Sequence, residues 1–365
     1  MKVDRLETSV YTIPTDRPEA DGTIAWDETS MVVVEAVADS GERGLGYSYA
    51  SRAAAVLVAE KLEGHIRGRH IDDVRAAWTA MVATVRNVGR QGIAATAISA
   101  VDIALWDLRA RAHQLPLHVL LGPHRREVPI YGSGGFTTYT DEQLTEQLGG
   151  WVGQGIPRVK MKIGTDWGAD PGLDLERITV ARRAIGDRTQ LFIDANGAYQ
   201  AKQALGMTER LTELGVVYFE EPVSSDQLPE LALIRRSTPF DIAAGEYGYD
   251  PWYFERMLDA GAVDVLQADM TRCLGVTGWL MAADLAYARG IPFSAHTAPS
   301  LHVQVGCAAP EIAHLEYFWD HIRIETMIFD GAPAVRPGGV IAPDPGWPGL
   351  GLELRRADAE RWRVG

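Results

Sequence analysis

The sequence predicts an α/β fold: a barrel of eight strands with intervening helices, preceded by an antiparallel α+β unit. Three observations carry this. From about Val128 the chain alternates short apolar runs with amphipathic stretches, eight such runs can be marked, and from the second onward each closes on a reactive side chain. An open doubly wound sheet fits the alternation nearly as well, but it would normally carry a Gly-rich fingerprint after its first strand. The only candidate, Gly132-Ser133-Gly134-Gly135, lacks that spacing. It reads instead as a small-residue strand end that leaves a ligand room, with Ser133 as a candidate substrate contact.

The composition sets bounds on function. At 365 residues, with 46% hydrophobic and 23% charged residues, the chain has the makeup of a soluble globular protein of about two domains. A net charge of -14 without a compensating basic run argues against a nucleic-acid partner. No apolar run is long enough to span a membrane, and residues 1–13 lack a signal-peptide core. Cys273 and Cys307 have neither disulfide-framework nor zinc-type spacing, which points to a reducing cytosol. The expected partner is a small-molecule carboxylate, in a homo-oligomer.

In chain order, residues 2–13 alternate as a strand and Pro14 is expected to stop it. A polar loop, Thr15–Glu28, follows. Met31–Val37 reads as a buried strand, and Gly44–Tyr49 completes a meander. Helices are expected near 51–64, 71–86 and 91–113; in the last, Ile93, Ala97, Val101, Ala104, Leu105 and Leu108 share one face. The barrel strands are expected at Val128–Gly132, Arg158–Ile163, Gln190–Asp194, Val216–Glu220, Asp241–Gly245, Val263–Gln267, Pro292–Ala295 and Ile312–Leu315.

The second strand holds Lys160 and Lys162, two residues apart and so on one face. Their mutual repulsion should favour the neutral amine and lower a lysine toward the range of a general base. Asp194, Glu220, Glu246, Asp269, His296 and Glu316 end the third to eighth strands in turn. Alone, each acid reads as a helix cap or turn residue. A barrel, however, collects all its strand ends on one face, so the set converges in space.

That set has a chemistry. Asp194, Glu220 and Glu246 offer three hard oxygen ligands, which suit Mg²⁺ with positions left for substrate oxygens; Mn²⁺ is the alternative ion. An ion held there would stabilise the enediolate formed when the carbon next to a carboxylate loses its proton. Lys162 would be the base on one face, tuned by Lys160. Asp269 would fix the tautomer of His296 on the opposite face. Glu316, next to a substrate carboxylate, would be protonated and donate to the enolate oxygen.

With these residues the chain resembles the enolase superfamily, and within it the mandelate racemase subgroup. The resemblance runs nearly the whole length: Ala104-Leu105-Trp106-Asp107-Leu108, Pro116, Leu120-Leu121-Gly122, the Lys160/Lys162 pair, the Asp194/Glu220/Glu246 trio, Asp269 with His296, Glu316, and Pro348-Gly349-Leu350-Gly351. Other subgroups place a lysine on the sixth strand, where this chain has Asp269. The resemblance implies a modified (β/α)₇β barrel at 126–324, under an α+β capping domain made of 1–125 and about 325–365. It implies that the cap selects the substrate, through Thr15–Glu28 with Trp26, and through Tyr47, Tyr49 and Arg52. Dehydration of a sugar acid (an aldonate or aldarate) to a 2-keto-3-deoxy acid is the expected reaction. Racemisation or epimerisation of a 2-hydroxy acid is the alternative. An inactive barrel kept for binding is a third reading, which the complete reactive set opposes.

Overall fold

The computed structural model describes residues Met1–Gly365. Strands β1 (Val3–Ala20), β2 (Ala25–Ala38) and β3 (Arg43–Tyr49) form an antiparallel sheet in that order. This corrects two expectations. Pro14 does not end the first strand, and Thr15–Glu28 is not a loop but the far half of a long β1–β2 hairpin. The reason is position: β1 is an edge strand, where a missing N–H costs little, and a register break between Pro14 and Glu19 absorbs the irregularity. The turn is closed by the Asp21 carboxylate, which accepts from the amides of Thr23 (2.6 Å) and Ile24 (2.9 Å).

Helices follow at Ala53–Leu57, continued through a π-helical turn at Val58–Leu62 to Glu63–Ile66, then at Val74–Thr84 and Ile93–Ala112. The last packs directly on β3, where a Cβ on Gly44 or Gly46 would overlap its backbone. The same helix is stitched to the rest of the chain by its polar residues. Asp102 accepts from the Thr277 amide (2.9 Å), and Trp106 Nε1 donates to Thr277 Oγ1 (2.9 Å). Asp107 accepts from the amides of Leu45 (2.6 Å) and Leu350 (2.5 Å).

The barrel comprises β4 (Val128–Gly134), β5 (Arg158–Lys162), β6 (Gln190–Asp194), β7 (Val216–Glu220), β8 (Asp241–Ala244), β9 (Val265–Ala268), β10 (Phe293–Ala295) and β11 (His314–Phe318). All neighbours are parallel, and β11 returns to pair with β4, so the eight-stranded ring is closed. An antiparallel edge at Val340–Ile341 pairs outside β4. Inside the ring, Tyr131, Phe192, Tyr218, Ala243 and Val265 pack as one apolar layer, with Phe192 and Tyr218 stacked at 4.4 Å. Strand period then dictates what lies above. Two residues beyond Tyr131, Phe192, Tyr218 and His314 come Ser133, Asp194, Glu220 and Glu316, on the same inner face one layer nearer the carboxyl end.

The segment after the barrel returns to the cap. Phe329–Asp330 pairs with Glu353–Leu354, Val10 and residues 364–365 exchange backbone bonds, and Arg356 pairs with Glu35. No helix is long and apolar enough to cross a membrane.

Candidate active site

Asp194, Glu220 and Glu246 come together at the strand ends, all buried, with one carboxylate oxygen from each lying within 4.8 Å of the others. Glu246 needs a special backbone to join them. Its strand stops at Ala244, and Gly245, at φ +137°, re-aims the chain; a Cβ there would overlap the Gln267 carbonyl.

The lysines point into this cluster. Lys160 Nζ lies 2.6 Å from Glu220 Oε2, 2.8 Å from Glu316 Oε1 and 3.4 Å from Asp194 Oδ2, while Lys162 Nζ donates to Asp194 Oδ2 at 2.5 Å. This corrects the expected lysine tuning. Burial alone would lower both amines, but Glu220 and Glu316 raise Lys160, and Asp194 raises Lys162 against the opposing push of Lys160. Carboxylates, which the strand period does not reveal, outweigh the like charge.

His296 Nδ1 bonds Asp269 Oδ2 at 2.9 Å, as expected of the dyad, and its Nε2 stands 3.0 Å from Glu246 Oε2. Burial would lower the imidazole, yet Glu246 and Glu316 raise it to about 10. Glu316 lies between two cations, Lys160 at 2.8 Å and His296 at 3.7 Å. Burial would raise it, but Lys160, then His296, hold it down at about 2, and a substrate carboxylate beside it would oppose them.

The donor set fits a divalent cation. Oε1 of Glu220 and Oε2 of Glu246 are buried without a hydrogen-bond partner; the 3.0 Å approach of His296 to Glu246 lacks hydrogen-bond alignment. Burial and the nearby Asp194 push Glu220 up to about 8, a repulsion that a hard cation among three oxygens would relieve.

A cavity of about 420 Å³ opens above these groups, lined from the barrel by Lys162, Glu246, His296 and Glu316 and from the cap by Trp26 and Tyr49. Three of the expected substrate contacts do not line it. Tyr47 is fully buried behind it, its hydroxyl spent on Glu325 at 2.7 Å. Arg52 faces solvent just before the helix Ala53–Leu57. Ser133 is buried in the ring and donates to Glu316 Oε1 at 2.6 Å. Lys160 is likewise sealed off and touches the site only through carboxylates.

Several site residues were missed from sequence. Arg272 lines the cavity, with Nη1 3.4 Å from Glu246 Oε1 and Nε 3.5 Å from Asp269 Oδ2; its place three residues after Asp269, in the same turn, was the available signal. Asn196 and Tyr247 line both this cavity and a neighbouring one of about 540 Å³. Glu221 lines the second cavity only, in left-handed conformation (φ +39°) and with Oε1 unpartnered.

Fold and site together define an enzyme that works at the carboxyl ends of a β/α barrel, around a carboxylate triad flanked by lysine and histidine. The chain belongs to the mandelate racemase/muconate lactonizing enzyme family of the enolase superfamily. Residues 7–122 match the model of the mandelate racemase/muconate lactonizing enzyme N-terminal domain, and residues 143–359 match that of the enolase C-terminal domain-like family. The solved structure of a mandelate racemase/muconate lactonizing enzyme-like protein from Rubrobacter xylanophilus is 48% identical, covers 100% of each chain and superposes with a TM-score of 0.95. L-talarate/galactarate dehydratase of Salmonella typhimurium is 28% identical over 99% of this chain and 91% of its own. Its structure liganded with Mg and L-lyxarohydroxamate is 26% identical, covers 100% of this chain and 93% of that one, and has a TM-score of 0.89. D-galactarolactone cycloisomerase of Agrobacterium fabrum is 28% identical over 100% of this chain and 99% of its own.

Proposed function

We propose that the protein dehydrates a sugar acid to a 2-keto-3-deoxy acid, with Mg²⁺ held by Asp194, Glu220 and Glu246. The observation that carries the reading is that Lys162 and His296 enter one cavity from β5 and β10, while its cap side is mostly polar, with Asp21, Glu28, Thr29, Ser30 and Ser51. Such a wall suits a hydroxylated chain. The names of the Salmonella relative and of an arabinonate dehydratase of Saccharolobus solfataricus support the substrate class.

When bound, the ion would neutralise the negative charge that builds on the substrate carboxylate as the neighbouring proton leaves. Lys162 Nζ takes that α-proton as the neutral amine, a state that Lys160 favours and that Asp194, which raises the amine here, would oppose less once its charge is shared with the ion. The C–H electron pair becomes the new C=C bond as the β-carbon–oxygen bond breaks, and His296 Nε2 gives its proton to the departing hydroxyl, which leaves as water. The enol product tautomerises to the 2-keto acid. His296 is suited to the acid role because Asp269 fixes its Nδ1 and, with the nearby Glu316, favours the protonated ring without belonging to the ion's ligands. Arg272 and Ser133 would hold the carboxylates of the dyad and of Glu316 in place.

A second reading is favoured by the same pair of groups. If His296 returns a proton to the carbon from which Lys162 removed one, the enzyme is a racemase or epimerase. A panel of aldonates and aldarates with Mg²⁺, assayed for 2-keto product and for α-proton exchange with D₂O, separates the two. We expect keto product from at least one acid, loss of that product in His296→Asn by about 100-fold or more, and loss of exchange in Lys162→Ala. Inversion of a 2-hydroxy acid with no keto product from any member of the panel would move the assignment to racemase.

A further inference from the structure

The buried carboxylate of Glu325 lies outside the cavity and has no part in the chemistry above. It sits in the helix Trp319–Ile328, fully buried. A carboxylate so placed is tolerated only if its oxygens are supplied with donors, and the donors come from two separate parts of the molecule. Oε1 accepts from the hydroxyls of Tyr47 (2.7 Å) and Tyr49 (3.3 Å), which stand on one face of cap strand β3. Oε2 accepts from the amide of Ser300 (3.0 Å), at the start of the helix Pro299–Ala308.

Ser300 follows the segment that carries His296. There Thr297 (φ +50°) and Ala298 (φ +38°) occupy the left-handed region, which side chains other than glycine adopt only when the surroundings hold them. Their carbonyls face His302 Nδ1, at 2.8 and 3.1 Å, while the amides are held by a single stretch of chain. Glu316 accepts from the Thr297 amide (3.1 Å), His321 Nδ1 from the Ala298 amide (3.3 Å), and Glu325 from the Ser300 amide. Two of those three acceptors also grip Tyr49, since His321 stacks on its ring at 3.4 Å and 12° while Glu325 takes its hydroxyl. Tyr49 lines the cavity. The cap wall and the strained segment behind His296 therefore share the same anchors.

We propose that Glu325 is a positioning residue that couples the cap wall at Tyr49 to the aim of His296. The inference rests on the roles given above to His296 and Lys162, but its first readout does not depend on them. The test compares E325L, E325Q and the double variant Y47F/Y49F with the wild type. Amide hydrogen exchange of residues 297, 298 and 300 is read first, then keto-product formation, which needs His296, and α-proton exchange, which needs Lys162, on a tolerated sugar acid with Mg²⁺.

E325L and Y47F/Y49F should each speed amide exchange at residues 297, 298 and 300 by about tenfold or more, and E325L should lower keto-product formation by a similar factor, a 1 Å loss of aim being enough for that. In E325L, α-proton exchange through Lys162 should stay within about threefold of the wild type. E325Q keeps an oxygen for Ser300 and an amide for the tyrosine hydroxyls, so it should restore most of both. Should E325L fail to fold, Y47F/Y49F makes the amide-exchange comparison with Glu325 in place. Unchanged protection at 297, 298 and 300 in Y47F/Y49F, or in E325L an equal loss of keto product and of α-proton exchange, overturns the proposal. A wild type that yields no keto product from any sugar acid would instead overturn the functional reading, and the amide exchange would still decide the coupling.

Discussion

Lys160 and Glu316 form a buried ion pair, Nζ to Oε1 at 2.8 Å, reaching from the second barrel strand to the eighth. Neither side chain exposes more than 1% of its surface, and Ser133 donates to the same Glu316 oxygen. Removing one member of such a pair strands the other's charge in a poorly solvated interior.

Lys160→Met should therefore cost about 3 kcal/mol or more of unfolding free energy. Adding Glu316→Gln should recover part of that loss, because it removes a charge the first change left unpaired. The check is urea unfolding of the two single variants and the double. Strictly additive losses would count against a direct pair.

The carboxylate triad makes a prediction that needs no substrate. Mg²⁺ at millimolar concentration should raise the melting temperature of the wild type, since a ligand that binds only the folded chain stabilises it by mass action. Glu220→Gln and Glu246→Gln should each weaken the ion's affinity by about tenfold or more, read by calorimetry, through loss of a ligand oxygen. Unchanged affinity in both would remove these residues from the metal site.

Glu19 offers a pH test in the cap. Its carboxyl is buried at the tip of the β1–β2 hairpin, opposite Trp26, whose Nε1 donates to Oε2 at 2.9 Å. Burial, then the charge of Asp320, raises it from 4.5 to about 9. Between those values the folded chain holds a proton that the unfolded chain releases, so stability falls as pH rises through that window. Glu19→Gln has no proton to lose. Its melting temperature should match the wild type within a degree or so near pH 5, and exceed it by roughly 2–4 °C near pH 9. Parallel curves would show that Glu19 does not titrate in this range.

Much of the site could be read from the sequence because strand period is rigid. Once Lys160 and Lys162 are placed on one face, the ring order of the following strands puts Asp194, Glu220, Glu246, Asp269, His296 and Glu316 around one mouth, and the structure shows them there. What the period does not carry is the far side of each contact. Tyr47 and Tyr49 have the same parity, yet one is sealed behind the wall and the other forms it, because depth along the strand is set by packing against the helix Trp319–Ile328.

The charge states were illegible for the same reason. Two lysines two residues apart announce their repulsion in the sequence, whereas the carboxylates that reverse it arrive from strands some 30 and 60 residues onward. Pro14 misled locally. Its meaning depended on β1 being an edge strand, which is a property of the sheet and not of the segment.

The backbone bonds between Val10 and residues 364–365 also dictate a schedule. During synthesis β1 is made before the barrel strands, and the strip that pairs with it only after all of them. The barrel ring can close while the cap sheet still lacks that partner, so a catalytic mouth can exist before its lid is secured.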